Sequence, residues 1–455
     1  MDKLFVASLM FPLVGCSTVI GLDELDPVNY DGGAAASGGS GASGGTGATG
    51  ATGGSGGTGA AGATGGTGGT GGTPCVVTEL LDKDEGGCAR LDNGDVHCWG
   101  YAGASIGLCS EDRAPLPVLA PSLDGVTAFS GSQFVSCFRR DESAVYCLGY
   151  NGNCEVASST PMQEYCVEFQ EPLPGPVTHV SVAGVFDDDV NCAISSGAVH
   201  CWGALTQVWE LPLGDNSCAP PTQHTTFGLN NVKFDQVTWH ACVLKEDGSA
   251  SCLGSNSSGQ LGQVANFEDS NLVALTVQVP PLKDLEVGAV FGVGLTPDGQ
   301  VYCWGDSDEF GASVSGYACL VTPGPQGPLA LDLGKPALEI SAGPSHVCAV
   351  LEDRSLVCWG SNFYNEIDAT EDNYRLVTPI LLEGEPFLVP AAPPTVGGRV
   401  IAGDGQTCAV HESGAVYCWG INEFTNGPNG TGLLGVGSSL VKVTAPSKVL
   451  LDCDP

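Results

Sequence analysis

The stretch from Cys88 to Gly100 reads CARLDNGDVHCWG, and it decides the fold of this protein. Two cysteines ten residues apart flank an Asp-Asn-Gly turn, and apolar and polar residues alternate around it. Such alternation on both sides of an Asn-Gly pair is typical of a β-hairpin. With Gly94 in a left-handed turn, Cys88 and Cys98 face each other on neighbouring strands, at a distance that a disulfide spans. The stretch therefore predicts a hairpin closed by a cross-strand disulfide.

The same phrase occurs seven times along the chain. Its closing glycine recurs at intervals of 49 to 60 residues, and periods of this size are typical of propellers and solenoids. The third copy is one residue shorter, but the missing residue falls in the turn, so its two cysteines still face each other. The fifth copy has Val293 where the others have their first cysteine. The six predicted hairpin disulfides are Cys88–Cys98, Cys137–Cys147, Cys192–Cys201, Cys242–Cys252, Cys348–Cys358 and Cys408–Cys418.

Each copy also contains a strand before the hairpin and a polar segment after it. The leading strand is apolar and ends in glycine, as in ALEISAG from Ala337, and the following segment is clearest in GSNSSGQLG from Gly254 to Gly262. About four short strands per copy make one propeller blade. The predicted fold class is therefore all-β, a seven-bladed β-propeller over residues 74–455 with cross-strand hairpin disulfides.

The combination of Asp-Gly, Cys-Trp-Gly, Asn and Gly-Gln-Leu-Gly resembles the repeats of the regulator of chromosome condensation family. That family forms seven-bladed propellers, so the resemblance implies the same fold. The paired cysteines look like those of an extracytoplasmic, cysteine-rich bacterial lipoprotein branch. The nuclear founder of the family is a guanine-nucleotide exchange factor, an activity that we do not expect of an exported, disulfide-bonded chain. The Trp-Gly pairs that carry the resemblance begin at Trp99, Trp202, Trp304, Trp359 and Trp419.

The 21 cysteines of the chain indicate an oxidising compartment, because intracellular thiols are kept reduced. Cys75 and Cys453 bracket the repeats, and a ring-shaped fold brings its ends together, so we expect them to bond and lock the ring. Cys303 faces Val293 in its predicted hairpin and so has no cysteine opposite; Cys319 is its suggested partner. Spacing alone does not fix connectivity. The cysteines whose pairing stays open are Cys109, Cys154, Cys166, Cys218, Cys303 and Cys319.

The N-terminus predicts export and lipid anchoring. A lysine precedes an apolar run from Leu4 to Val14 that is too short to span a bilayer. The segment Leu-Val-Gly-Cys ending at Cys16 resembles the lipobox of bacterial lipoproteins, in which the signal, here residues 1–15, is removed and the cysteine is lipidated. Two or three acyl chains anchor a protein stably. A plain signal peptide and a chance cysteine are the alternatives.

A low-complexity segment separates this cysteine from the repeats. Residues 32–73 consist of Gly, Ala, Ser and Thr only, a composition that cannot bury a core. We therefore expect a disordered linker, with residues 16–73 acting as a lipidated, flexible tether. The predicted location is the bacterial cell envelope, at the outer membrane or cell surface.

The charge balance restricts the partners. The chain has 15 Lys and Arg against 51 Asp and Glu, a formal net charge of −36. Such a chain repels phosphate backbones and anionic lipid headgroups. We therefore expect no nucleic-acid partner, and contact with a membrane only through the lipid anchor.

Two histidines are the only catalytic candidates that the repeats offer. His240 and His346 occupy the same repeat position, two residues before a cysteine, and scattered residue types occupy it in the other copies. That scatter favours packing or one interior hydrogen bond over a ligand role. The other occupants of the position are Gly86, Val135, Val190, Phe291 and Gln406.

No metal site or cofactor is expected. The chain has no Cys-x-x-Cys pair, so a zinc knuckle is not available. The segment at Asp306 begins like a calcium loop, but Phe310 and Tyr317 stand at ligand positions. Three carboxylates follow Phe186, and such runs are usually solvated. Ca²⁺ is the one ion for which these acidic segments remain candidate ligands.

Two classes of function fit these observations. The first is a non-catalytic, monomeric propeller that binds a protein or glycan at the envelope through its blade loops, since loops on rigid scaffolds favour binding. The alternative is an extracytoplasmic enzyme, for example a polysaccharide or lactone lyase, with its site at the central mouth. An approach of His240 and His346 to a common pocket would favour the enzyme, and their burial in separate blades would favour the binding module.

Overall fold

Every hairpin predicted from the repeat forms two antiparallel strands in the middle of a four-stranded sheet. Seven such sheets follow one another along the chain as blades I to VII of a propeller. The structure is a computed structural model. It describes residues 75–81, 86–100, 114–132, 135–142, 144–149, 169–183, 190–203, 221–237, 239–263, 271–305, 319, 327–423 and 432–451.

Each blade uses one continuous stretch of chain, and its strands are paired in sequence order. Blade I contains β1 Val77–Leu81, β2 Gly86–Leu91, β3 Val96–Gly100 and β4 Ala114–Leu119. Blade II contains β5 Ala128–Gly131, β6 Val135–Arg139, β7 Ala144–Gly149 and β8 Phe169–Pro172. Blade III contains β9 Val177–Ala183, β10 Val190–Ser195, β11 Ala198–Gly203 and β12 Thr222–Gln223. Blade IV contains β13 Asn231–Val237, β14 His240–Lys245, β15 Ala250–Gly254 and β16 Asn271–Thr276.

The remaining blades follow the same plan. Blade V contains β17 Asp284–Val287, β18 Phe291–Leu295, β19 Val301–Gly305 and β20 Leu329–Leu331. Blade VI contains β21 Ala337–Ala342, β22 His346–Leu351, β23 Leu356–Ser361 and β24 Tyr374–Pro379. A small hairpin of β25 Leu381–Leu382 and β26 Glu385–Pro386 leads to blade VII, which contains β27 Val400–Ala402, β28 Gln406–Val410, β29 Val416–Ile421 and β30 Lys442–Lys448. Single 3-10 turns occur at Pro121–Leu123 and Thr225–Phe227.

The six predicted hairpin disulfides are confirmed. In each, the two cysteines are directly opposite in the strand register, with Cα atoms 4.0 to 4.1 Å apart. The first hairpin turns through Gly94 at φ +96°, and the shorter third hairpin turns through Ser196 and Gly197 at φ +52° and +77°. The missing residue is therefore absorbed in the turn, and the strand register is unchanged.

The closing glycine of the repeat has a conformational reason. All seven copies have φ between +89° and +138°, a region that residues with a Cβ rarely adopt. At Gly254, an added Cβ would also lie 2.4 Å from the backbone oxygen of Trp239. The glycine turns the third strand sharply into the connection that follows it. The seven positions are Gly100, Gly149, Gly203, Gly254, Gly305, Gly360 and Gly420.

The tryptophans of the repeat form the packing between sheets. Trp99 is fully buried and lies over Gly87 on the neighbouring strand, where a Cβ would come within 2.6 Å of its ring. Its other side touches Gly435 of blade VII. Trp304 likewise donates a hydrogen bond from Nε1 to the Gln260 carbonyl of the preceding blade, at 3.1 Å. Each of these rings therefore joins its own blade to the connection of the previous one.

The ring is closed between blades VII and I. Leu80 and Gly398 exchange two backbone hydrogen bonds of 2.7 and 2.8 Å. The buried Glu79 carboxylate accepts the backbone N–H groups of Thr395 and Val396 at 2.6 and 2.8 Å, and it pairs with Arg90. Because the first and last blades do not share a sheet, these lateral contacts close the ring.

The cysteines outside the hairpins are partly accounted for. Cys303 and Cys319 form a disulfide that stays within blade V. Cys75 is disulfide-bonded, and its Sγ lies 3.9 Å from the Leu451 carbonyl oxygen. Cys453, its predicted partner, lies outside the described residues, so that pairing stays a prediction.

Several other predictions also fall outside the described residues. Cys16, the signal and the tether belong to them, as do the acidic segments at residues 186–189 and 306–318. Within the part of the chain that the structure describes, no helical segment has the length and hydropathy needed to cross a membrane.

Candidate functional site

The alternating strand directions give the propeller two unlike faces. The first and third strands of each blade end at one face, which we call the insertion face, so the connections from third to fourth strand begin there. The hairpin turns and the links between blades meet at the other. The connections to the fourth strand contain 12 to 23 residues, far more than the hairpin turns. The insertion face therefore offers the variable loops in which binding residues concentrate.

A buried asparagine organises these connections in three blades. It comes two residues after the closing glycine, and its Oδ1 accepts the backbone N–H of a buried aliphatic residue at 3.0 to 3.1 Å. The buried side-chain amide supplies hydrogen-bond partners to backbone groups of the loop, which have no neighbouring strand to pair with. The three pairs are Asn256 with Leu261, Asn362 with Ile367, and Asn422 with Leu434.

The connection of blade VI, residues 362–373, is described in full and is held by a network of polar contacts. Asn362 Nδ2 donates to Asp368 Oδ1 and to the Asp372 carbonyl, both at 3.1 Å. Arg375 pairs with the Asp368 and Asp372 carboxylates at 2.8 and 3.1 Å. Asn365 takes a left-handed φ of +63° and donates to the Thr370 carbonyl at 2.8 Å. The loop is thus preorganised by its own polar groups.

A cluster of exposed apolar side chains lies where the connections of blades VI and VII meet. Phe363, Leu440 and Val441 are 56%, 64% and 47% exposed. Lys442 donates to the Phe363 carbonyl at 2.8 Å, and its ammonium lies 5.5 Å from the ring centres of both Phe363 and Tyr364. We call these five residues the VI–VII patch. Exposed apolar side chains grouped on a surface mark sites of protein interaction, and the ammonium beside two aromatic rings adds a cation–π contact.

Buried groups support this patch from below. Tyr364 N–H donates to Glu366 Oε2 at 2.7 Å, and Ser361 donates to Glu366 Oε1 at 2.7 Å. Burial raises the pKa of Glu366, and those hydrogen bonds oppose the shift. Asn422 donates to the Leu440 carbonyl at 2.9 Å, which fixes the other half of the patch. The exposed side chains therefore stand on a rigid base.

His240 and His346 lie in separate blades, IV and VI, and both are fully buried. Burial lowers the pKa of His240 to about 4, against a weaker opposing hydrogen bond with the Phe291 backbone. Burial lowers the pKa of His346 to about 3, and its Nε2 is 2.8 Å from Thr407 Oγ1. Blade V separates the two, so the structure does not bring them into a common pocket. The hydrogen bond of His346 matches the interior role that the repeat pattern favours.

A charged cluster lies on the innermost strands of blades IV and V. Lys233 on β13 contacts Asp284 Oδ1 at 2.7 Å and Glu286 Oε1 at 2.5 Å on β17. Although burial opposes it, the carboxylates of Asp284 and Glu286 raise the pKa of Lys233 well above its usual value. Burial raises the pKa of Glu286, and the carboxylates of Asp235 and Asp284 raise it further against the opposing effect of the Lys233 ammonium. Asp235 also accepts the Val287 N–H at 2.7 Å, so the cluster joins the two blades.

Neither the two buried histidines nor the charged cluster of blades IV and V forms a metal centre. Among the described residues, no group of three or more His, Cys, Asp or Glu is arranged to hold a metal ion. The acidic segments that left Ca²⁺ as a candidate are outside those residues.

The VI–VII patch was not found by sequence reasoning, although the repeat contains a signal for it. Aligned on the closing glycine, GSNFYNEID in blade VI corresponds to GSNSSGQLG in blade IV. Phe363 and Tyr364 thus replace two serines at loop positions, whereas Ile367 keeps the apolar character of Leu261. Large aromatic residues at a position that is polar in a sister repeat point to an exposed binding group.

Comparisons with known proteins agree with this architecture. A model of the regulator of chromosome condensation (RCC1) repeat matches residues 338–366, which span most of β21, the hairpin of blade VI and the start of its long connection. Protein pim1 of Schizosaccharomyces pombe is 24% identical over 349 residues, which are 68% of this chain and 61% of that protein. The regulator of chromosome condensation of Mus musculus is 28% identical over 189 residues, 40% of this chain and 41% of that protein. The chain thus spans less than two thirds of the length of these curated relatives.

A solved structure shows the same fold. Prp20p from Saccharomyces cerevisiae, described with its binding properties to Gsp1p and histones, has a TM-score of 0.59 and 21% identity, with 83% of this chain and 88% of that chain covered. Together with the repeat match, this similarity supports an RCC1-like propeller.

Proposed function

We propose that this protein is a binding propeller that recognises a protein partner through its insertion face, with the VI–VII patch as an anchor. The observation that carries the proposal is a set of exposed apolar and aromatic side chains on a rigid, hydrogen-bonded base. Preorganised side chains lose little conformational entropy when a partner covers them. Prp20p, a propeller of the same fold, is described as binding Gsp1p and histones, which supports a protein partner over a glycan.

The second part of the proposal is location. The lipobox-like segment at Cys16 and the tether after it, of which residues 32–73 are uncharged, support export and lipid anchoring at a bacterial cell envelope, as in the lipoprotein branch that the paired cysteines resemble. A long tether rich in Gly, Ala, Ser and Thr would hold the propeller away from the membrane and leave its faces accessible. The net charge of −36 favours a partner with a neutral or basic contact surface.

An enzymatic role receives no comparable support. Both candidate imidazoles are enclosed in separate blades, and the charged cluster of blades IV and V is occupied by its own ion pairs. The proposal therefore assigns His240 and His346 to packing.

Affinity capture with matched variants tests the binding surface. Full-length protein is immobilised, incubated with envelope extract of its source organism, and compared with Phe363→Ala and Lys442→Ala. We expect the variants to lose a protein that the unmodified chain retains, because hot-spot truncation costs about 2 kcal/mol or more. Leu376→Ala is the control, since Leu376 is 77% exposed on the outer strand β24 and is not one of the five patch residues. Equal recovery by all four proteins would contradict the assignment of the patch.

Metabolic labelling tests the anchor. In a bacterial host fed radioactive palmitate, we expect label on the unmodified chain and none on Cys16→Ser. An unlabelled protein released to the medium would leave the plain signal peptide as the correct interpretation.

A further inference from the structure

The connection of blade VI contains a fully buried carboxylate without a charged partner. Glu366 is 0% exposed. Its Oε1 accepts the Ser361 hydroxyl and its Oε2 accepts the Tyr364 N–H, both at 2.7 Å. None of the ion pairs formed by the residues that the structure describes includes Glu366. An ionised group buried without a counter-ion is unfavourable, and its hydrogen bonds recover only part of the lost hydration.

The sister repeat in blade IV shapes the same connection with a neutral side chain. Aligned on the closing glycine, Gln260 takes the place of Glu366, and it is also buried. Gln260 Oε1 accepts the Ser258 N–H at 2.8 Å, which is the bond that Glu366 makes with Tyr364. An amide is therefore sufficient to form this loop. What the carboxylate adds is the ability to gain and lose a proton.

Glu366 is connected directly to the VI–VII patch. Its hydrogen bond fixes the backbone of Tyr364, whose ring packs on Gly405 of blade VII, where an added Cβ would lie 2.6 Å from the ring. The Thr407 hydroxyl of blade VII donates to the Glu366 carbonyl at 2.7 Å. A movement of the connection that exposes the Glu366 carboxylate to water therefore also displaces Tyr364 and separates it from blade VII.

Two groups of basic character act on this carboxylate. The positive charge of Lys442 lowers the pKa of Glu366, but burial has the larger effect and raises it. His346 reaches Glu366 through Thr407, since its Nε2 is 2.8 Å from the Thr407 hydroxyl. Burial lowers the pKa of His346 to about 3, so this imidazole is neutral in the range in which Glu366 takes up a proton.

Two acidic groups also lie close to the same loop. Asp368 belongs to the connection itself and pairs with Arg375 at 2.8 Å. Asp404 precedes Gly405, on which the patch rests, and burial raises its pKa as well. An experiment must therefore distinguish Glu366 from Asp404.

We propose that Glu366 is a proton-controlled switch beneath the VI–VII patch. When Glu366 is protonated, the connection of blade VI stays closed and holds Phe363 and Tyr364 in place for a partner. When it is ionised, hydration of the carboxylate favours an open form in which the patch is lost. The switch rests on the proposed function, since it makes that binding surface more complete in acid.

The direction of the pH dependence follows from burial. In the closed connection, burial raises the pKa of Glu366 above its ordinary value of 4.5. The closed form is therefore most stable below pH 4.5, and it loses stability as pH rises through the raised pKa. Each unit that separates the pKa values of the closed and open forms changes the opening equilibrium about tenfold.

Amide hydrogen exchange of the unmodified, full-length protein tests the switch without a partner. Protection factors are measured from pH 4 to pH 7 and corrected for the intrinsic effect of pH on exchange. We expect those of Tyr364 and Ile367 to fall as pH rises, by about tenfold for each unit of the pKa difference in Glu366. Ser258 and Leu261 hold the matching positions in blade IV, and as internal controls they should keep constant protection.

Two variants assign the effect to one carboxylate. Glu366→Gln gives blade VI the side chain that blade IV already uses, so protection at Ile367 should be high and independent of pH. Asp404→Asn is the control and should retain the pH dependence of the unmodified protein. If a variant fails to fold, the comparison of blades IV and VI within the unmodified protein still tests the switch.

Three results would overturn the proposal. These are constant protection of Ile367 in the unmodified protein, pH dependence that survives Glu366→Gln, and pH dependence that disappears with Asp404→Asn. Because exchange is measured without a partner, failure of the affinity capture would contradict the proposed binding surface and leave the switch standing.

Discussion

At the scale of single residues, one buried amide determines the shape of the long connection in three blades. The Asn362 side chain makes hydrogen bonds with Ile367, Asp368 and Asp372 of its loop. Asn256 and Asn422 repeat the bond to a buried aliphatic N–H. An isosteric leucine could fill the space but would leave several buried polar groups without partners. The exposed residues of the connection are thereby free to vary while its base stays fixed.

Replacing this amide should loosen the VI–VII patch. We expect Asn362→Ala to lower the free energy of unfolding by about 2–3 kcal/mol, because the N–H groups of Ile367 and Asp368 lose their acceptor. Urea denaturation measures the change. Asn373→Ala is the control, since that side chain is exposed in the same loop and should change stability little.

The buried histidines make stability depend on pH. The pKa of His346 falls from 6.5 to about 3 on folding, so above pH 6.5 both states are neutral and stability is complete. Between these values the unfolded chain takes up a proton that the folded chain does not, and stability falls as pH falls. At pH 4 the loss from this one group is on the order of 3 kcal/mol.

The variant His346→Gln tests whether this histidine makes the free energy of unfolding fall as pH falls. Relative to the unmodified protein, we expect it to lose less stability between pH 7 and pH 4 in urea denaturation. Burial raises the pKa of Glu286 and Glu366, which favours the folded state at low pH instead, so the difference between proteins is the informative quantity. Parallel curves would contradict the assignment to His346.

At the scale of elements, the hairpin disulfides reinforce a register that the strands already have. In blade V, Val293 faces Cys303 at the position where the other blades have a disulfide, and the hairpin has the same pairing. Cys303 bonds to Cys319 instead. Strand alternation and the turn therefore set the hairpin, and the sulfur bridge adds stability afterwards.

Removing one bridge should consequently weaken the fold without changing it. For Cys242→Ser with Cys252→Ser, which opens a loop of ten residues, the chain-entropy model gives a loss of about 3 kcal/mol. We expect a lower denaturation midpoint with an unchanged far-ultraviolet circular dichroism spectrum. Loss of the β signal in native buffer would show that the bridge is required for pairing.

The elements also show where sequence reasoning succeeded and where it stopped. Hairpin register, blade number and six disulfides follow from local spacing, because a strand has a strict period of two and cysteines fix which residues face each other. The VI–VII patch depends on contacts such as Lys442 with Phe363, which are 79 residues apart in the chain. Contacts between distant repeats have no periodic signal, so they required the structure.

At the scale of the whole molecule, ring closure depends on side chains and lateral backbone bonds. Glu79 is 1% exposed and accepts hydrogen bonds from the backbone of residues 395–397. It also faces Arg90 at 3.4 Å. Because blades VII and I come from opposite ends of the repeat region, these bonds join the most distant parts of the sequence.

Neutralising this carboxylate should weaken the closure locally. We expect Glu79→Gln to cost about 3 kcal/mol, since it leaves Arg90 without its buried partner. Amide hydrogen exchange should accelerate at Leu80 and Gly398 before other blades respond. Glu385→Gln, on the exposed hairpin before blade VII, is the control and should leave exchange unchanged.

The assignment of every blade to one uninterrupted stretch of chain has a consequence for how the gene could be rearranged. Since no sheet among the described residues takes a strand from the far end of the repeat region, and Cys75 Sγ lies 3.9 Å from the Leu451 carbonyl oxygen, residues 75 and 451 can be joined by a short peptide and new ends opened elsewhere. The exposed bend at Gly334, between blades V and VI, is a suitable place for the cut. A circular permutant made there would still build every sheet from contiguous sequence, so the order in which blades leave the ribosome is not part of the information that specifies the ring.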